Sequence, residues 1–228
     1  MSEELGKISK PQADNIQLKR KLYLVQNIQN YFPDNNEFEV LLNEYWESIS
    51  EQLDNLEKTA GSINKIYVEG IYQDFEIASK LLEENNKWCL DTILPRLKSG
   101  SKFEKIEEEN NYKELIDWTR IAQMGFVSEN VKEIAEKNYT DIINSRTKII
   151  QDEINNLTNG EAALFLISSG SHKFPEDIEI FNVIPPSLDK MNRWITENQN
   201  VNNEVKEQQG NQNQNEGEEN NKSNLWTP

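Results

Sequence analysis

The sequence predicts a helix-dominated α/β or α+β domain, with several helices around a small sheet expected to be mixed. Three observations lead there. Residues 38–56 place Phe38, Leu42, Tyr45, Trp46, Ile49, Leu53 and Leu56 at steps of three and four, the spacing of one apolar helix face. Short runs rich in β-branched and aromatic residues, 65–69, 162–168 and 178–184, have the length and composition of buried strands. These runs alternate with helical stretches, which favours at least some parallel pairing.

Residues 1–14 are polar, contain Pro11 and read as a flexible arm. Over 15–32 the positions Ile16, Leu18, Leu22, Val25, Ile28 and Phe32 follow mostly helical spacing, so a helix is expected before the break at Pro33-Asp34-Asn35. It holds the one compact basic run, Lys19-Arg20-Lys21, expected on a solvated face. The apolar stripe of 38–56 ends at Ala60-Gly61-Ser62, and the strand that follows closes at Glu69-Gly70. Helices are expected at about 73–85 and 87–98, with Pro95 kinking or shortening the second and Gly100 stopping it. A short strand over 102–106 and a helix over about 110–124 come next.

Ser128 is placed to cap a long helix reaching about Leu157, with Glu129 near its positive end. One side of that helix carries Val131, Ile134, Ala135, Ile142, Arg146, Ile149, Glu153 and Leu157, apolar but for two charges, and is expected to pack on the core. Asn159-Gly160 is a stop signal. Two strand-like runs follow, too far apart for a tight hairpin. Pro185-Pro186 ends the second, and Ser187 caps a last helix through Trp194. The domain thus spans 15–196. From 197 to 228 the composition is acidic and rich in Asn and Gln, too polar to offset the entropy of ordering, so disorder is expected. Trp226, beside Leu225, is the one aromatic there and the candidate for contact with a partner.

The chain of 228 residues has a formal net charge of −16 and is 36% hydrophobic. That balance repels nucleic acid and anionic lipid, so neither is an expected partner. No run approaches the roughly 18 apolar residues of a membrane span, and the first residues lack the basic and apolar regions of a signal peptide. Cys89 is the only cysteine and His172 the only histidine, which removes disulfides and the usual zinc sites. Phosphate-binding glycine loops, calcium loops and the G-x-S-x-G elbow are absent. A cytoplasmic protein without cofactor or metal is the expectation.

Three residues are candidates for chemistry. His172 follows a buried strand, in Ser168-Ser169-Gly170-Ser171-His172, where functional groups often sit. Glu69 ends another strand, and Asp177 closes the segment after His172. Adjacency in sequence supplies neither the convergent geometry of a Ser/His/acid arrangement nor the shifted pKa values of an acid–base pair, for which Glu69 with Asp117 is one further combination. Glu107-Glu108-Glu109 reads as a solvated loop, Cys89 as a buried small hydrophobe, and Trp46, Trp88, Trp118 and Trp194 as core residues.

The run Gly160-Glu161-Ala162-Ala163-Leu164-Phe165-Leu166-Ile167, the segment from His172 through Phe174-Pro175-Glu176-Asp177-Ile178 to Phe181, Pro185-Pro186-Ser187-Leu188-Asp189 and Arg193-Trp194 together resemble a family of uncharacterised bacterial proteins. The strand ending in Glu69-Gly70 and the long helix before Gly160 fit the same plan, so the resemblance covers about 36–196. It implies no activity and no catalytic residue. The leading functional reading is therefore a non-enzymatic interaction or regulatory protein that contacts another protein. The alternatives are a small hydrolase-like or small-molecule-processing enzyme with a cleft near Glu69 and His172, and a structural or assembly subunit.

Overall fold

A computed structural model describes residues 19–168 and 172–198. The expected arm over 1–14 and Trp226 lie outside the described residues, as does the expected tail except for residues 197 and 198, which end a helix.

The first element corrects the sequence reading. Arg20–Gln26 is a strand, β1, and not part of a helix. Leu22 and Leu24 face one side, Tyr23 and Val25 the other, and of these all but the partly buried Leu24 are fully buried. A strand buried on both faces reads as a continuous apolar run, which periodicity alone does not separate from a helix. Its basic residues are not a solvated face either, since Lys21 is only 1% exposed.

The chain continues through α1 (Asn36–Thr59), β2 (Lys65–Val68), α2 (Phe75–Asn85), α3 (Lys87–Lys98) and β3 (Lys102–Phe103). It then forms α4 (Glu109–Gln123), α5 (Glu129–Asn155), β4 (Ala162–Ile167) and β5 (Ile178–Val183). A last helix, α6, spans 186–198. The five strands order β3-β2-β4-β1-β5, and every pairing is parallel. The protein is therefore a helix-dominated α/β fold whose sheet is wholly parallel where a mixed one was expected. β1 separates the two C-terminal strands, so their connection is a crossover and not a hairpin.

Helices cover both faces. On one, α1 and α3 pack with α2 and α6 over Tyr23, Val25, Ile66, Val68, Leu164 and Leu166. Asn35 caps α1 by accepting from the Phe38 amide at 2.9 Å, and Glu37 and Glu39 sit in its first turn. The stripe of α1 points inward, where the Tyr45 hydroxyl and Trp46 indole reach the carbonyls of Gln26 and Ile28 at 2.6 and 3.1 Å. On the other face, Ile150 and Ile154 of α5 cover Leu22, Tyr67, Ala163 and Phe165.

The stripe of α5 packs on the core only in part. Its 27 residues extend about 40 Å, about twice the length of a six-residue strand, so only the C-terminal half meets the sheet. The rest runs beside α4, which has no fully buried residue, and Val131 and Ile134 stay half exposed. Ser128 occupies the cap position of α5 without a side-chain hydrogen bond.

Moves across the sheet toward β3, from β1 to β2 and from β2 to β3, use one face; moves toward β5 use the other. This is the outcome of crossovers that share one hand. At the C-terminal ends of adjacent β2 and β4 the chain therefore departs toward opposite faces. Such a switch point opens the crevice where α/β sheets bind ligands.

Candidate functional site

Four charged or titratable side chains from four segments converge at that point. Glu69 follows β2, and its amide donates to the Leu166 carbonyl at 2.9 Å, extending the ladder by one residue. Gly70 then turns the chain at a φ of 87°, where a Cβ would lie 3.0 Å from the Tyr112 hydroxyl. The turn presents the Gly70 amide to Glu107 Oε1 at 3.0 Å and directs the Glu69 carboxylate across the strand ends. There Glu69 Oε2 accepts from the Ser168 amide at 2.5 Å, just past β4.

Arg146 reaches in from α5. Its Nη2 donates to Glu69 Oε1 at 2.8 Å, and its Nε donates to both oxygens of Glu107 at 3.0 and 3.1 Å. Nη2 also bonds Glu107. The guanidinium lies 5.9 Å from the centre of the Tyr112 ring. His172 completes the group from the β4–β5 crossover, with Nε2 3.3 Å from Glu69 Oε1. The contact has the distance of an ion pair but is not a hydrogen bond, and Nε2 is buried with no hydrogen-bond partner among the described residues. The imidazole rests among Phe165 and Phe174, with ring centres 5.5 and 6.0 Å away.

The cluster is nearly closed to water: the side chains of Glu69 and Glu107 are 2% and 1% exposed, that of His172 9% and that of Arg146 18%. Burial pushes the Glu69 carboxyl upward, but the His172 contact, the Arg146 charge and the Ser168 amide outweigh it and hold the group below its ordinary range. Burial pulls Arg146 down, and its two carboxylate partners more than restore it. Two carboxylates facing one guanidinium leave the group with one negative charge when the imidazole is neutral.

Of the residues singled out in the sequence, the fold brings Glu69 and His172 together and places Asp177 elsewhere. Asp177 precedes β5 at the opposite end of the sheet, paired with Arg20 at 2.5 Å. Asp117 lies exposed on α4, 3.5 Å from Arg120. Glu107 is a correction: it is buried in the cluster and not solvated. Arg146 was visible only as a charge interrupting the stripe of α5. The other interruption, Glu153, accepts from the buried Tyr67 hydroxyl at 3.2 Å. Both charges on that stripe thus serve the sheet. Among the described residues, no group of three or more His, Cys, Asp or Glu is arranged to hold a metal ion.

Fold and cluster define an open, wholly parallel α/β sandwich with a polar site at its switch point. Comparison with protein-family models, with curated proteins and with solved structures finds no match.

Proposed function

We propose that the protein is a small α/β enzyme of the hydrolytic kind, acting on a neutral small molecule at the C-terminal edge of its sheet. The observation that supports this is the contact of His172 with Glu69 at 3.3 Å in a nearly water-free crevice at the switch point. Glu69 faces the imidazole, and Arg146 and the Ser168 amide hold Glu69 in place. With Nε2 turned toward Glu69, Nδ1 is the nitrogen that takes a proton from water as the water oxygen attacks a carbonyl carbon; the proton then passes to the leaving group. Two carboxylates facing one guanidinium disfavour phosphate and carboxylate substrates.

A panel of neutral p-nitrophenyl esters and anilides tests this. Turnover is expected from the full chain and is expected to fall about 10²–10⁴-fold in His172→Gln, with melting temperature retained. Glu69→Gln lowers kcat and shifts the pH profile, as a positioning residue should. A panel without turnover, or turnover indifferent to a folded His172→Gln, would sink the proposal.

A second reading, a protein that contacts another protein, draws on the far end of the α4–α5 hairpin. There Met124 and Val127 are 81% and 109% exposed, with Val131 and Ile134 beside them. Its test is whether Val131→Glu with Ile134→Glu, or removal of 197–228, changes what the protein retains from cell extract. A cytoplasmic location belongs to both readings. Its support is a lone buried cysteine and, among the described residues, no helix long and apolar enough to cross a membrane.

A further inference from the structure

The helices do not cover the sheet evenly. On the face carrying α5, that helix and Phe174 of the crossover shield Leu22, Tyr67, Ala163, Phe165 and Ile178. Toward the C-terminal ends of β1, β4 and β5 the same face stays open, and a cavity of about 290 Å³ lies there. Leu24 and Ile167 form its floor, and Ile184 and Leu188 its apolar rim. Two carboxamides, Gln26 and Asn182, also line it, and neither side chain has a hydrogen-bond partner among the described residues.

The groove lies one same-face residue along β4 from Phe165, the ring neighbour of the imidazole, and His172 itself does not line it. Phe165 touches His172 with ring centres 5.5 Å apart, and Ile167 is the next residue of β4 on that face, about 7 Å along the strand. Ser168, whose amide holds Glu69, follows directly. Gln26 pairs in register with Ile167, and Asn182 with Leu24, so the two carboxamides stand over the same floor.

We infer that this groove is the substrate-binding subsite of the His172 centre, and that it takes a neutral molecule with an amide-type group on a short apolar chain. The inference rests on the hydrolytic reading. Its chemistry follows from the lining. The floor and rim match an alkyl body, and free carboxamides match a group that both donates and accepts. Among the described residues no cation lines the groove, and two carboxylates share one guanidinium in the adjoining cluster, so a carboxylate analogue is disfavoured. The chain buries the alkyl body on Leu24 and Ile167 and brings its carbonyl toward His172.

Hexanamide and hexanoate, followed by methyl NMR of the full chain, provide the test. Hexanamide is expected to shift the methyls of Leu24, Ile167, Ile184 and Leu188, with hexanoate at least about tenfold weaker. Asn182→Ala should weaken hexanamide about fivefold, the worth of one hydrogen bond. Ile184→Trp, at an exposed rim position, should close the groove without changing the melting temperature. Shifts that map elsewhere, equal binding of hexanoate, or indifference to both variants would overturn the inference. His172→Gln is expected to bind hexanamide as the native chain does. Hexanamide binding with no His172-dependent turnover would therefore uphold the groove as a binding site and count against the hydrolytic reading alone.

Discussion

Arg146 Nη2 donates to Glu69 Oε1 at 2.8 Å across 77 residues of sequence, joining the middle of α5 to the end of β2. The same guanidinium holds Glu107, so one cation serves two carboxylates that have almost no contact with water. Arg146→Met takes the guanidinium from both, leaving Glu69 with the Ser168 amide and His172 and Glu107 with the Gly70 amide. A loss of about 3–5 kcal/mol is expected in urea unfolding, the cost of breaking a buried pair from one side. Arg146→Lys should recover only part, because an ammonium cannot reproduce the planar fork. A loss below about 1 kcal/mol in the Met variant would show that the pairing contributes little.

Acid should loosen the fold through Glu69. Its carboxyl is held below the ordinary value of 4.5 in the folded protein. The unfolded chain therefore binds the proton more readily, and stability falls as pH drops. The contribution is complete above the ordinary carboxyl range and is lost as pH falls through the folded value. Glu69→Gln should flatten the acid limb of a stability–pH curve. An unchanged limb would place the acid sensitivity elsewhere.

Asn86 ties the α2–α3 junction to the end of β1. It is buried, accepts from the Cys89 amide at 3.2 Å as the cap of α3, and donates to Asn27 Oδ1 and the Ile28 carbonyl at 2.8 and 3.1 Å. Asn86→Ala removes a cap and strands the buried Asn27 Oδ1, while the Ile28 carbonyl keeps the Trp46 indole. The expected cost is about 2–4 kcal/mol, seen as a lower urea midpoint with unchanged slope.

Cys89 is fully buried, and burial pushes its thiol up to about 12. Ellman's reagent at pH 8 should label it only at the rate of unfolding and at once in denaturant. Rapid labelling of the native protein would show that α3 opens locally.

Asp177 provides a control for the site. It pairs with Arg20 at the sheet end opposite His172, so Asp177→Asn should leave turnover and the pH profile unchanged and alter melting only slightly. A loss of turnover matching that of His172→Gln would contradict the placement of the site.

Most of the architecture is legible in the residues. The stripe of 38–56, the runs 65–69, 162–168 and 178–184, and the stops at Gly100 and Gly160 mark helices and strands by local rules of period and turn. β1 is the exception, because burial on both faces erases the alternation that identifies a strand. The exposed valine and isoleucine of α5 show a related gap: apolar spacing marks a helix face but not what, if anything, covers it.

The sequence by itself determined a helix-dominated domain with a small sheet, α/β or α+β, the lone cysteine and histidine, and the strand ends near which Glu69 and His172 sit, since these depend on composition and short-range spacing. Only the tertiary structure decided that the two meet, that Asp177 does not join them, and that Arg146 and Glu107 do. Strand order and crossover direction fix which ends of the chain become neighbours, and those are set by packing across the whole sheet. The charge on Arg146 looks like a flaw in an apolar stripe until β2 and the turn after β3 are placed beneath it.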